Sequence, residues 1–131
     1  MRKITLFIML FALSTGFQAS AQELKIGSQC WALWEENNTY YVGTIVELDS
    51  TVKGGGYLVV YADGGVAVVP ATLVFPFKIS VGTPVHAMWW RDGDFYPGKI
   101  AKIVGEALYI YFDDGDEGWT SLAGISIPAP K

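Results

Sequence analysis

Cys30-Trp-Ala-Leu-Trp-Glu-Glu-Asn-Asn-Thr-Tyr-Tyr-Val-Gly-Thr-Ile45 and Val85-His-Ala-Met-Trp-Trp-Arg-Asp-Gly-Asp-Phe-Tyr-Pro-Gly-Lys-Ile100 are two versions of one pattern, related by a constant offset of 55. Ala32/Ala87, Trp34/Trp89, Tyr41/Tyr96, Gly43/Gly98 and Ile45/Ile100 coincide without a gap. Further along, Tyr61-Ala62-Asp63-Gly64 matches Phe112-Asp113-Asp114-Gly115 at an offset of 51, so the first copy holds four extra residues in between. They fall around Lys53-Gly54-Gly55-Gly56, the tip of an expected hairpin, where lengthening costs little. Internal repetition is therefore the organising fact of the chain.

Each copy reads as short β-strands. Cys30, Ala32 and Trp34 alternate with Trp31 and Leu33; Asn37-Asn38 marks a turn; Tyr40 to Leu48 resumes with aromatic and β-branched residues. Tyr57 to Tyr61 and Val66 to Val69 follow on either side of Asp63-Gly64, a tight-hairpin signal. The second copy repeats the order, with turns at Asp92-Gly93 and Asp114-Gly115. No segment beyond the N-terminus sustains helical periodicity, so the fold class is all-β. Four or five strands in about 50 residues suit a small, strongly bent barrel that is marginal alone. Two such barrels, joined through Phe75 to Gly82, give the aromatic residues more to pack against.

The N-terminus has another role. Met1-Arg2-Lys3 is a positive start, Ile4 to Leu13 an apolar run of 10 residues, and Ala19-Ser20-Ala21 a small-x-small cleavage pattern. This is the form of a secretory signal peptide, and the run is too short to span a membrane. Cleavage after Ala21 leaves 110 residues, Gln22 to Lys131, destined for the periplasm or the exterior. The expected division is signal peptide 1–21, first barrel 22–76 and second barrel 77–131. Cys30 lacks the sequence context of a lipid acceptor and reads as a small buried hydrophobe.

Charge and residue counts exclude several chemistries. Losing Arg2 and Lys3 leaves seven basic against 13 acidic residues, a net charge of −6. Such a surface repels phosphate backbones and favours cationic ligands, so no nucleic-acid partner is expected. One His and one Cys cannot form a His/Cys metal cluster or an internal disulfide. Asp113-Asp114-Gly115-Asp116-Glu117 lacks the spacing of an EF-hand loop and reads as a solvated hairpin. His86 lies at the position equivalent to Trp31, with no nucleophile pattern beside it. No catalytic residue, metal or cofactor is expected.

The second copy, Val85-x-Ala87-x-Trp89, Gly93-x-Phe95-Tyr96-Pro97-Gly98-x-Ile100 and Tyr109-Ile110-Tyr111-Phe112-Asp113-Asp114-Gly115, resembles a Tudor domain of the SH3-like barrel group. The first copy resembles it less fully, with Val42 where the family often has Pro. The resemblance implies two tandem five-stranded barrels and a reader of methylated lysine or arginine. By position it implies aromatic cages of Trp89, Tyr96, Phe112 and Asp114 in the second copy and Trp34, Tyr41, Tyr61 and Asp63 in the first. Where many Tudor cages carry a further aromatic just after the Asp-Gly turn, this chain has Asp116 and Gly65.

The physical case for a cage is separate. A methylated ammonium has few N–H donors, and aromatic faces with a nearby carboxylate stabilise it, at about 0.5–2 kcal/mol per cation–π contact. The sequence thus predicts an exported binding module for a protein, peptide or methylated cation. Two alternatives stay open: an envelope assembly protein whose aromatic faces make protein–protein contacts, and an SH3-like module that binds the cell wall. Trp31, Trp90 and Trp119 lie outside both cages and are expected either between the copies or in an exposed groove.

Overall fold

The computed structural model of the chain describes residues 24–130; the signal-peptide expectation, on 1–21, lies outside them. The first copy folds as β1 (Gln29–Trp34), β2 (Thr39–Asp49), β3 (Gly56–Tyr61), β4 (Val66–Pro70) and β5 (Val74–Pro76). The second follows as β6 (Pro84–Met88), β7 (Phe95–Val104), β8 (Ala107–Phe112), β9 (Glu117–Ser121) and β10 (Ile125–Pro128). Each copy also contains a 3-10 turn just before its last strand, at Ala71–Leu73 and Leu122–Gly124, and the first copy has another at Glu35–Asn37. The protein is all-β, as the alternation in the sequence predicts.

The strands pair antiparallel in the same order in both copies: β1 with β2, β2 with β3, β3 with β4 and β1 with β5; then β6 with β7, β7 with β8, β8 with β9 and β6 with β10. The long second strand of each copy carries a bulge at equivalent places, between Ile45 and Glu47 and between Ile100 and Lys102. An extra residue there bends the strand, so one strand serves two sides of a small barrel. The repeated Gly98 has a separate cause. A Cβ at Gly98 would lie 2.7 Å from the carbonyl oxygen of Tyr111, so only glycine lets the neighbouring strand come this close.

The copies are joined by more than a linker. β10 pairs on its other edge with β2 of the first copy, through Ser126↔Tyr41, Ile127↔Tyr40 and Pro128↔Thr39. Just beyond it the Ala129 N–H donates to the Asn38 carbonyl at 3.0 Å. A single hydrogen-bonded sheet therefore runs from β9 in the second copy to β5 in the first.

This junction explains one of the unassigned tryptophans. Successive residues of β1 face opposite sides. Cys30 and Ala32 are buried in the first core with Ile45, Val59, Tyr61, Val69 and Val74. Trp31 points the other way, is only 6% exposed, and belongs with Val42 to the core of the second copy, among Val85, Ile100, Leu108, Ile110 and Ile125. Phe77, from the connecting segment, meets Trp31 edge-on with ring centroids 5.2 Å apart. Trp90 and Trp119 are by contrast 65% and 48% exposed. Cys30 is fully buried, and burial pushes its thiol pKa up to about 11, in keeping with a packing role.

Candidate functional site

The residues that sequence reading selects in the first copy converge at one end of its barrel. Trp34 closes β1, Tyr41 lies on β2, Tyr61 ends β3, and Asp63 sits in the turn into β4. Tyr61 forms the floor: it is buried and meets Trp34 edge-on, with centroids 5.3 Å apart at 88°. Its hydroxyl donates to the Leu33 carbonyl at 2.9 Å. Burial pushes its phenol up to about 12, so the ring stays neutral at physiological pH. Trp34 stands half-buried above it, and its indole N–H donates to Glu36 at 3.1 Å. The Tyr41 hydroxyl accepts from the Asn37 side-chain amide at 2.7 Å. Asp63 accepts from the Gly65 N–H at 2.9 Å, which fixes the carboxylate at the rim.

The remaining wall comes from the other copy. Phe95, Met88 and Ala123 complete a cavity of about 390 Å³ with Trp34, Asn37, Tyr41, Tyr61, Asp63 and Gly65. Phe95 and Met88 are opposite each other across β6 and β7, so they share a face. The pairing of β10 with β2 lays that face beside Tyr41, whose ring meets Phe95 at 6.0 Å and 81°. Gly65 and Phe95 line this cavity together, one from each copy.

The second-copy residues also converge. Trp89 meets Phe112 edge-on at 5.5 Å and 87°. With Tyr96, Asp92, Asp114 and Asp116 they line a smaller cavity of about 210 Å³. The Tyr96 hydroxyl donates to Asp92 at 2.5 Å, and the other Asp92 oxygen accepts from the Asp94 N–H at 2.9 Å. The bond to Tyr96 holds the Asp92 carboxyl below its ordinary range, and it also pushes the Tyr96 phenol up to about 12. Asp114 accepts from the Asp116 N–H at 2.9 Å.

Sequence reasoning missed Phe95, Met88, Asn37, Asp92 and Asp116 as lining residues. The signal for Asn37 and Asp92 lies in the repeat itself, since they are equivalent positions four residues before the cage tyrosines. Nothing local marks Phe95, whose role depends on strand pairing between copies. His86 is half-buried on β6, opposite Pro97 and Ser126. Among the described residues no group of three His, Cys, Asp or Glu side chains is placed to hold a metal ion, and no helix is long and apolar enough to cross a membrane.

Two bent five-stranded barrels, each with an aromatic cluster at one end, define a tandem of SH3-like modules. Among solved structures the chain is similar to the crystal structure of Crb2 tandem tudor domains, with a TM-score of 0.58 at 14% identity over 81% of each chain. The particular arrangement is thus a tandem Tudor-like fold. Weaker similarity reaches the structure of Arabidopsis thaliana AGDP1 AGD34, with a TM-score of 0.40 at 14% identity over 79% of this chain and 82% of that one. It also reaches ADCP1 tandem Agenet domain 3-4, with a TM-score of 0.36 at 14% identity over 79% of each chain. No family model and no curated protein matches the chain at the level of sequence.

Proposed function

We propose that the protein is an exported, non-enzymatic binding module that recognises a protein or peptide through a cationic group, chiefly a methylated lysine or arginine or another quaternary cation. The first-copy box carries this reading. Trp34, Tyr41 and Tyr61, with Phe95 brought in from the second copy, surround a cavity of about 390 Å³ that has one carboxylate, Asp63, at its rim. Aromatic faces with a single negative charge suit a cation that has few N–H groups to satisfy. The box of Trp89, Tyr96, Phe112 and Asp114 is the second candidate cation site. Export rests on the leader pattern of residues 1–21, and the acidic balance of the remaining chain supports a cationic rather than a nucleic-acid partner.

The test is an NMR titration of isotope-labelled chain 22–131 with trimethyl-lysine, dimethylarginine and choline, repeated on Trp34→Ala and Trp89→Ala. Saturable shifts at Trp34, Tyr41 and Phe95 that vanish in a folded Trp34→Ala variant are expected. If none of the three cations moves these residues, the cage reading is wrong. Export is checked by N-terminal sequencing of the protein recovered outside the cytoplasm, which is expected to begin at Gln22.

A second reading, an envelope assembly or cell-wall-binding protein, is favoured by a different observation. The outer face of β8 and β9 exposes Tyr111 at 54% and Trp119 at 48%, an aromatic surface outside either box. Sedimentation of the protein with isolated cell walls, abolished by Trp119→Ala, would support it.

A further inference from the structure

The two boxes share an aromatic trio but differ at the polar positions around it. Asn37 and Asp92 are equivalent at the offset of 55, and Gly65 and Asp116 at the offset of 51. Asn37 donates a hydrogen bond to the Tyr41 hydroxyl, whereas Asp92 accepts one from the Tyr96 hydroxyl, so the polarity of the contact is reversed. The first box therefore has one carboxylate among its lining residues, Asp63, and the second has three, Asp92, Asp114 and Asp116. The apolar residues that close the first cavity, Met88, Phe95 and Ala123, have no counterparts lining the second.

We infer that the aromatic cavity of Trp89, Tyr96 and Phe112 takes a hydrogen-bond-donating cation, the unmethylated side chain of a lysine or arginine, while the first box takes the methylated one. This inference rests on the cation-cage reading above. A carboxylate drawn out of water needs donors to replace those it loses. A trimethylammonium group brings none, so it leaves the lone pairs of Asp92, Asp114 and Asp116 unserved. A primary ammonium brings three donors and a guanidinium five, and both still present positive charge to the faces of Trp89 and Tyr96. The hydrogen bonds these carboxylates already accept come from the Asp94 and Asp116 N–H groups and the Tyr96 hydroxyl, and each carboxylate has lone pairs to spare.

The experiment follows the indole N–H signals of Trp34 and Trp89 in chain 22–131 during titration with lysine capped at both ends, its trimethyl form, capped arginine and calcium. Capped lysine or arginine is expected to shift Trp89 at about tenfold lower concentration than trimethyl-lysine, with the order reversed at Trp34. Asp92→Asn and Asp116→Asn, at exposed positions, should each shrink the preference at Trp89 and leave the Trp34 signal unmoved. Equal or tighter binding of trimethyl-lysine at Trp89 overturns the inference. So does a Trp89 response to calcium alone, or no response there while Trp34 binds trimethyl-lysine. Silence at Trp34 towards every methylated cation overturns the underlying cage reading instead, and the two failures are read from separate signals.

Discussion

The first copy matches the Tudor pattern less fully than the second, yet it has the larger and more apolar box, about 390 Å³ against about 210 Å³. The reason lies outside each repeat. β10 lies along β2, so Phe95 and Met88 close over the first box, but no first-copy element does the same for the second. The equivalent of Phe95 at the offset of 55 is Tyr40, which packs towards the second core and against Phe75 instead. One repeated unit thus yields two sites because each sits on a different side of the same junction. Repetition in sequence sets the rings, and asymmetry of assembly sets what surrounds them.

The hardest blow to this picture is aimed at the junction. Trp31→Ala removes a first-copy residue from the second core and is expected to lower the stability of the whole chain by about 3–5 kcal/mol. Denaturant unfolding followed by tryptophan fluorescence and by circular dichroism should show one displaced transition. If only the first copy melts early, the two barrels are independent and the comparison loses its basis.

Next in size is the wall borrowed across the copies. Phe95→Ala should weaken trimethyl-lysine binding at Trp34 by about 0.5–2 kcal/mol, roughly 2- to 30-fold in Kd, although Phe95 lies in the second repeat. Unchanged affinity by calorimetry would return the first box to its own copy. A transplant sharpens the contrast further. The pair Asn37→Asp with Gly65→Asp gives the first box the carboxylates of the second, and its preference should turn from trimethyl-lysine towards lysine. A Cβ at position 65 would lie 3.3 Å from Asp63 Oδ1, a tight contact, so the Asp63 carboxylate must shift by a few tenths of an ångström to admit the new side chain.

The smallest effect is in the titration of the phenols. Tyr61 and Tyr96 both stand near 12, the first mainly through burial and the second mainly through its bond to Asp92. Ultraviolet titration of Asp92→Asn should bring Tyr96 back towards its ordinary value and leave Tyr61 in place. The sign for Tyr61 follows from linkage: its raised folded pKa favours folding fully below pH about 10, and that contribution drains away as pH rises towards 12. Alkaline destabilisation in that window should therefore persist in Asp92→Asn.

Much of this is legible in the sequence itself. The two offsets, the Asp-Gly turns and the alternation around Trp34 and Trp89 follow from local chemistry, since hairpins and strand faces depend on neighbouring residues. The aromatic trios were legible for the same reason, because each comes from adjacent strands of one copy. Trp31 and Phe95 were not: their surroundings depend on β10 crossing to β2, a contact between residues more than 80 positions apart in the chain. The inequality of Asn37 and Asp92 was visible in the aligned repeats. Its meaning needed the tyrosine hydroxyls in place, which show one side chain donating and the other accepting.

Synthesis adds an order in time to the pairing of β10 with β2. A chain emerging from its N-terminus exposes β1 to β5 first. The first box must nevertheless wait for Met88, Phe95 and Ala123, and for Ser126 to Pro128 to zip onto β2. Until those residues arrive, Trp31 and Val42 have no second core to enter, and the early half of the molecule carries an uncovered apolar flank. The site that comes first in the sequence is the last to be finished, and a chain interrupted before its final strand carries the Trp34 ring without the pocket around it.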